Sequence, residues 1–170
     1  MHDNITSRGD NAFRNCDALK EITIPVNVTS LPSYLFDDCS LLETVNMHDN
    51  ITSIGSYAFR NCDALKEVIL PAKLTGVSQG LFQYSDQLES VTIPSAVRTV
   101  YQPSSTYNIF YGCTALKEII MLPITPPYNS YSSSTTATNF LSNTNSSVQI
   151  KVPAESLEAY KTSTFWKPLA

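Results

Sequence analysis

Apolar residues recur along this chain with a period of 23 residues. Each period contains a phenylalanine, a cysteine or serine three residues later, and a leucine three residues after that. A short stretch follows in which every second residue is apolar, which is typical of a strand with one buried face. A fixed period of this length predicts a solenoid of stacked, similar coils. The repeating aromatic positions are Phe13, Phe36, Phe59, Phe82 and, after a longer interval, Phe110.

The third coil shows how the pattern generates the shape. Val68 and Leu70 are expected to point inward from a short strand, while Glu67 and Ile69 face outward. Pro71 cannot donate a ladder hydrogen bond and therefore ends the strand. One coil buries too few residues to be stable alone, so neighbouring strands should stack about 4.8 Å apart in a parallel sheet. The return half of the coil completes the core with Ile51, Ile54, Ala58 and Phe59.

The third coil also carries a recognisable motif, I-G-x-x-A-F-x-x-C-x-x-L-x-x-[IV]-x-[IL]-P. It closely resembles the BspA-like leucine-rich repeats, and residues 148–169 resemble the terminal segment of that family, in which a last strand leads into a capping helix. The resemblance implies a bacterial protein of the cell surface, some of whose relatives are adhesins for host matrix proteins. The matching residues are Ile54, Gly55, Ala58, Phe59, Cys62, Leu65, Val68, Leu70 and Pro71.

Repeat and resemblance together predict an α/β repeat solenoid. We expect a right-handed leucine-rich-repeat coil stack, with a parallel sheet on one side, short helical or irregular turns on the other, and a C-terminal cap. The whole chain, 1–170, is predicted to be one domain. Within it, 1–123 holds the regular coils, 124–147 a loop and the last coil, and 148–170 a terminal strand and helical cap. Phe140 is expected to continue the phenylalanine series in the last coil.

Composition excludes several classes of function. The formal net charge of −4 argues against a nucleic-acid footprint, which requires a clustered basic face. No apolar run reaches the roughly 20 residues of a membrane span, and the amino end does not have the pattern of a signal peptide. Residues 1–7 recur letter for letter as residues 47–53. We therefore expect the chain to begin within a coil, as the carboxy-terminal part of a longer protein.

Cysteines and histidines can form disulfides, bind metals or act in catalysis, but their spacing in this chain disfavours these roles. The cysteines follow the repeat, which favours buried free thiols over disulfides or a metal site. His2 and His48 occupy one repeat position two coils apart, about 10 Å at strand spacing, and are interpreted as exposed turn residues. Motifs of nucleophilic or phosphate chemistry are absent from the sequence. We predict no catalytic residue, no metal and no cofactor. The cysteines are Cys16, Cys39, Cys62 and Cys113.

Outward strand positions form two rows across the coils and are the first candidate binding surface. A flanking row alternates in charge, which favours the alternative interpretation that such side chains only solvate the sheet and fix its register. It comprises Lys20, Glu43, Lys66, Glu89 and Lys117. One row comprises Glu21, Thr44, Glu67, Ser90 and Glu118. The other comprises Thr23, Asn46, Ile69, Thr92 and Ile120.

Two insertions without an apolar period form the second candidate surface. Tyr101 and Tyr107 lie in the first, Tyr128 and Tyr131 in the second, and Tyr111 follows Phe110. Because the insertions interrupt consecutive coils, stacking is expected to bring them side by side. Tyrosine with small polar residues is the composition that binding loops use. The alternative is that both are tolerated surface loops, since lengthening a loop adds little closure entropy.

The sequence therefore predicts a non-catalytic binding module of the cell surface or of a secreted protein. Its expected partner is an extracellular protein or glycan, and adhesion to host or bacterial macromolecules is the leading function. A structural spacer or stalk that presents another domain is the alternative. Glycan binding through exposed tyrosines is a weaker one.

Overall fold

The described residues form a stack of six coils, each of which contributes a short strand to a first layer of parallel sheet. The computed structural model describes residues 9–101, 108–130 and 140–167. Paired strands lie in the register that the repeat predicts, with Val68 opposite Val91 and Val91 opposite Ile119. The strands of this layer are β1 (Glu21–Thr23), β3 (Thr44–Asn46), β5 (Glu67–Ile69), β7 (Ser90–Ile93), β9 (Glu118–Met121) and β11 (Gln149–Lys151).

A second layer of parallel strands lines the return half of the coils, where the sequence predicted only turns. Each of these strands has two residues, of which one is buried, as Ile54 and Val77 are. Because one buried residue cannot display an alternation, the second layer leaves no periodic signal in the sequence. These strands are β2 (Ser30–Leu31), β4 (Ser53–Ile54), β6 (Gly76–Val77), β8 (Thr99–Val100) and β10 (Tyr128–Asn129).

A series of turns forms the third side of the stack and contains the phenylalanines. Turns in neighbouring coils are joined through the backbone: the Phe36 N–H donates to the Ala58 carbonyl (2.9 Å) and the Phe59 N–H to that of Leu81 (3.0 Å). Phe140 stands edge-on to Phe110 at 5.2 Å and continues the series, as predicted. The stacked rings lie 5.6–5.8 Å apart with planes within 17° of parallel, and belong to Phe13, Phe36, Phe59, Phe82 and Phe110.

The cysteine position of each coil supports the turn of the coil before it. The Cys62 thiol lies 3.3 Å from the Phe36 carbonyl, and the Ser85 hydroxyl donates to that of Phe59 at 2.7 Å. Ser85 also accepts the Cys62 N–H at 3.1 Å. Serine therefore makes the same contact to the phenylalanine carbonyl as cysteine does. Ser85 departs from the repeat in sequence but not in this contact.

Residues 148–167, the described part of the terminal segment, cover the last coil. After β11 the chain makes a single 3₁₀ turn (Ala154–Ser156) and the helix α1 (Leu157–Thr162). The buried ring of Trp166 donates its indole N–H to the Pro127 carbonyl at 2.6 Å, and the Tyr160 hydroxyl donates to that of Pro123 at 3.1 Å. These bonds fix the cap to the carbonyl groups of the preceding coil.

One junction between coils is open on its strand side. β1 pairs with β3, and β5, β7, β9 and β11 form a continuous sheet, but β3 and β5 do not pair. In the second layer β4 and β6 likewise do not pair with each other. The turns of the same two coils remain stacked, since Phe36 and Phe59 keep the ordinary centroid distance of 5.6 Å. As a result Val45 and Met47 are only half-buried, whereas the equivalent Val68 and Leu70 are buried.

Candidate functional site

The two outward rows predicted across the first layer are each divided by the open junction. Glu21 lies opposite Thr44, and on the far side of the opening Glu67 lies opposite Ser90. Thr44 and Glu67, predicted to be neighbours, lie on β3 and β5, which do not pair with each other. The second row divides in the same way. One piece holds Thr23 and Asn46. The other holds Ile69, Thr92 and Ile120. The rows therefore form two surfaces, one on each side of the opening.

Charged side chains near the last coils are engaged with one another. Lys151 forms an ion pair with Glu118, and this hydrogen bond lowers the pKa of the Glu118 carboxyl. Lys117 lies 2.5 Å from Glu89 and lowers the pKa of that carboxyl in the same way. Both pairs link adjacent coils across the sheet, which supports the registering role that the sequence favoured for outward charges.

Tyr101 and Tyr128 lie on the exposed side of the second layer. Tyr128 opens β10 opposite Thr99 of β8, and Tyr101 follows β8 directly. The Ser130 N–H donates to the Val100 carbonyl at 3.0 Å, which places Ser130 beside Tyr101. Tyr128 is therefore a diagonal neighbour of Tyr101, roughly 8 Å away at ordinary strand spacing. Tyr128 therefore belongs to a strand of the second layer rather than to the loop that the sequence predicted.

Tyr111 lies elsewhere on the coil. Its ring is half-buried on the turn side and stands edge-on to Tyr84, with 5.5 Å between the ring centroids. The structure therefore does not bring Tyr111 to Tyr101 and Tyr128. Tyr107 and Tyr131 lie outside the described residues.

His48 is a structural residue rather than the exposed turn residue that the sequence predicted. It is half-buried, and its Nε2 lies 2.8 Å from the Pro25 carbonyl. Its Nδ1 accepts the Asn50 N–H at 3.2 Å. A carbonyl can only accept, so Nε2 donates this hydrogen bond and the ring links two coils. His2 lies outside the described residues.

The thiols lie inside the stack. Cys39, Cys62 and Cys113 are buried, as predicted, whereas Cys16 in the first described coil is half-buried. Burial raises the pKa of Cys39 to about 11 and also raises the pKa values of Cys62 and Cys113. These thiols are protonated at neutral pH and are poor nucleophiles.

An ion cluster that the sequence analysis did not identify joins three coils on the turn side. The buried carboxylate of Asp37 accepts two bonds from Arg60, at 2.6 and 2.8 Å, and lies 2.9 Å from Arg14. The Arg60 guanidinium lies 5.7 Å from the ring centroids of both Tyr34 and Tyr57, which stack on each other. Arg14, Asp37 and Arg60 share one repeat position, so reading that column of the repeat would have revealed the cluster.

Two structural features of other protein classes are missing from the described ranges 9–101, 108–130 and 140–167. No group of three or more His, Cys, Asp or Glu side chains there could hold a metal ion. None of the helices in those ranges has the length and apolar character needed to cross a membrane.

Comparison with solved structures gives the same fold. A leucine rich cell surface protein from Faecalibacterium prausnitzii is 24% identical, with a TM-score of 0.67, and the alignment covers 84% of this chain and 34% of that one. A leucine-rich repeat protein from Bacteroides ovatus is 21% identical over 83% of this chain and 32% of that one, with a TM-score of 0.61. This chain thus spans about a third of the length of either protein.

A further structural relative is smaller. The leucine rich repeat protein of T. pallidum is 23% identical over 71% of this chain and 64% of its own, with a TM-score of 0.54. No curated protein matches the chain. The family model described as the BspA type leucine rich repeat region matches residues 1–117 in six copies. With its 23-residue coils, phenylalanine series and parallel strands, the chain belongs to the BspA-type leucine-rich-repeat family.

Proposed function

We propose that this chain is a non-catalytic, surface-exposed binding module that adheres to a host or bacterial macromolecule. The observation that carries the proposal is the parallel pairing of β8 with β10. That pairing holds Tyr101 and Tyr128 on one exposed side of the second layer. Proteins of this repeat family are built as protein-interaction surfaces, and one structural relative is described as a cell surface protein.

The chemistry of this surface suits recognition of a macromolecule. Tyrosine supplies a large and rigid contact area and loses little conformational entropy on binding. The backbone beneath these side chains is held by the ladder of the second layer, so the surface is already organised before a ligand arrives. Loops carried by a rigid scaffold are common binding sites. The proposal includes Tyr107 and Tyr131 on the basis of sequence alone.

A ligand array followed by substitution tests the proposal. The chain is probed against extracellular matrix proteins, bacterial surface proteins and glycans, and the Kd of any hit is measured. We expect a protein hit whose affinity falls at least tenfold in the variant Tyr101→Ser/Tyr128→Ser, at an unchanged melting temperature. Ile69→Ser/Ile120→Ser is the matched control, because it removes two apolar groups from the other layer.

Three outcomes would contradict the proposal. No hit on any array would favour a structural spacer. A hit restricted to glycans would favour carbohydrate capture. A loss of affinity in the isoleucine control, with the tyrosine variant unaffected, would transfer the binding surface to the outward rows of the first layer.

A further inference from the structure

The open junction between β3 and β5 is a slot with defined walls and ends. Its cavity measures about 490 Å³ and lies between the last residues of β3 and the whole of β5. The slot is bounded before the strands by the Ala64 N–H, which donates to the Ser40 carbonyl at 3.1 Å. After the strands it is bounded by the Ala72 N–H, which donates to Asp49 Oδ1 at 2.9 Å. Eight residues of one coil (41–48) and seven of the other (65–71) lie between these two bonds.

The first wall of the slot is the free edge of β3, whose opposite edge pairs with β1. The Ile24 N–H donates to the Asn46 carbonyl (3.0 Å) and the Thr44 N–H to that of Lys20 (3.2 Å), so Thr44 and Asn46 face β1. By the alternation of a strand, the N–H and C=O of Val45 point into the slot.

The second wall is the complementary edge of β5. The Leu70 N–H donates to the Thr92 carbonyl (3.1 Å), and the Ser90 N–H donates to the Lys66 carbonyl (3.2 Å). Lys66 and Leu70 therefore face β7, and the alternating backbone groups of Glu67 and Ile69 point into the slot. Two parallel edges thus face each other with donors and acceptors that no strand of the described residues uses.

The floor and rim of the slot differ in chemistry. The floor is apolar: the half-buried side chains of Val45 and Met47 are its accessible part, and the buried Leu65, Val68 and Leu70 lie beneath them. The rim is acidic, because the exposed side chains of Glu43, Asp49 and Glu67 border the opening and its continuation beside Lys66.

We propose that this slot binds a short extended peptide segment of a protein partner, which adds as a strand between β3 and β5. Strand addition satisfies backbone donors and acceptors on both walls, and pockets for alternate side chains provide selectivity. The segment has about five residues, with two apolar side chains directed at the floor and basic side chains directed outward to the acidic rim. This site lies on the first layer and does not depend on the tyrosine surface proposed above.

The first test asks whether the slot is open in solution. A disulfide requires Cα atoms within about 7 Å, which in-register residues of paired strands satisfy. Ile69→Cys/Thr92→Cys joins the paired strands β5 and β7 and should oxidise readily. Asn46→Cys/Ile69→Cys spans the slot, and we expect it to oxidise at least tenfold more slowly. Equal rates would show that β3 and β5 meet in solution, which would overturn the proposal.

The second test uses the acetylated and amidated pentapeptide Lys-Val-Lys-Val-Lys as the probe. Titrated into ¹⁵N-labelled protein, it should shift the amide resonances of Val45, Glu67 and Ile69 in a saturable way. Lys-Lys-Val-Val-Lys has the same composition without the alternation and should leave them unchanged, as should the first peptide with both valines N-methylated. Absence of shifts with the alternating peptide, or equal shifts with all three, would overturn the proposal.

Charge substitution locates the contact. Glu67→Lys should weaken binding of the pentapeptide at least fivefold, whereas Glu158→Lys, on the exposed face of α1, makes the same change in net charge and should have no effect. Equal loss in both variants would reduce the interaction to general attraction and refute a site in the slot. Tyr101→Ser/Tyr128→Ser should bind the pentapeptide as the parent does, so failure of this site and failure of the tyrosine surface are distinguishable.

Discussion

The indole ring of Trp166 stands edge-on to the ring of Phe140, with 5.0 Å between the ring centroids. Phe140 is itself edge-on to Phe110, whereas the five preceding phenylalanines are stacked nearly parallel. A parallel ring presents its face to a further coil, and an edge-on ring presents no equivalent face. The change of ring orientation at Phe140, covered by Trp166, therefore ends the phenylalanine series at the cap.

Trp166→Ala should destabilise the protein strongly. The substitution removes a buried aromatic ring from the end of the core and leaves the Pro127 carbonyl without its donor. We expect a loss of about 3–5 kcal/mol in the free energy of unfolding, measured by urea denaturation. Glu158→Ala, exposed on the same cap, is the control and should change it by less than about 0.5 kcal/mol. A loss as small as the control's would show that residues 153–167 are an appendage.

Ser85 tests whether the cysteine position acts through a hydrogen bond or through packing. Ser85→Ala leaves the Phe59 carbonyl and the Cys62 N–H without their buried partner, at a cost of about 1–3 kcal/mol. Ser85→Cys restores the group found at this position in the neighbouring coils and should remain within about 1 kcal/mol of the parent. Thermal unfolding of the two variants makes the comparison. Equal stability of alanine and cysteine would mean that only packing matters there.

Much of this fold could be predicted from the 23-residue period. The positions of Phe36, Cys62 and Val68 within the repeat predicted which side chains are buried, because a residue in every coil must occupy an equivalent place in the stack. The second layer could not be predicted in this way, since a two-residue strand such as Ser53–Ile54 carries no alternation. Its register depends on stacking between coils, which is a property of the assembled solenoid.

The candidate sites were only partly predictable for the same reason. Proximity of Tyr101 and Tyr128 could be expected from their place in consecutive coils, and the β8–β10 pairing makes them diagonal neighbours. The slot could not be predicted, because Val45, Met47 and Val68 conform to the repeat on both sides of the opening. Whether the strands of two such coils pair depends on backbone geometry, which cannot be inferred from the residue at any single position. Asp37 was identifiable from the repeat column Arg14, Asp37 and Arg60.

The thiols should separate into one accessible group and three protected groups. At pH 8, Cys16 should react with a disulfide reagent well before the others because it is only half-buried. Burial raises the pKa of Cys39 to about 11, and Cys62 and Cys113 shift in the same direction, so their reactive thiolates are scarce. Four rapid thiols should appear after unfolding under non-reducing conditions. Finding fewer than four would indicate a disulfide.

These thiols also predict how stability depends on pH. A thiol whose pKa is raised in the folded state binds its proton more tightly there than in the unfolded chain. Its contribution is therefore complete below the ordinary thiol pKa of 9.0 and is lost as pH rises from there through the folded-state pKa of about 11 for Cys39. The melting temperature of the parent protein should fall over this pH interval. The melting temperature of the Cys39→Ser variant should fall less steeply. Parallel profiles for the parent and the variant would contradict the assignment.

Gly80 occupies a left-handed turn position, shared by the equivalent Tyr34 and Tyr57, at which a neighbouring ring excludes a side chain. Its φ is +59°, and an added Cβ would overlap Cε1 of Tyr57. That ring has little freedom to move, because it stacks on Tyr34 at 4.9 Å and faces the Arg60 guanidinium. Gly80→Ala should therefore cost more than the roughly 1–2 kcal/mol of a left-handed backbone alone.

A double-mutant cycle separates the two costs of Gly80→Ala. In the background Tyr57→Ala the ring is absent, so only the backbone cost should remain and the two substitutions should couple by more than about 0.5 kcal/mol. Gly9→Ala is the matched control, since its added Cβ meets nothing within 4 Å, and should be neutral within about 0.5 kcal/mol. Urea denaturation of the four members of the cycle gives the coupling energy. Strict additivity would show that Tyr57 moves aside freely, and the packing of the tyrosines against Arg60 would then contribute little to the rigidity of the turn side.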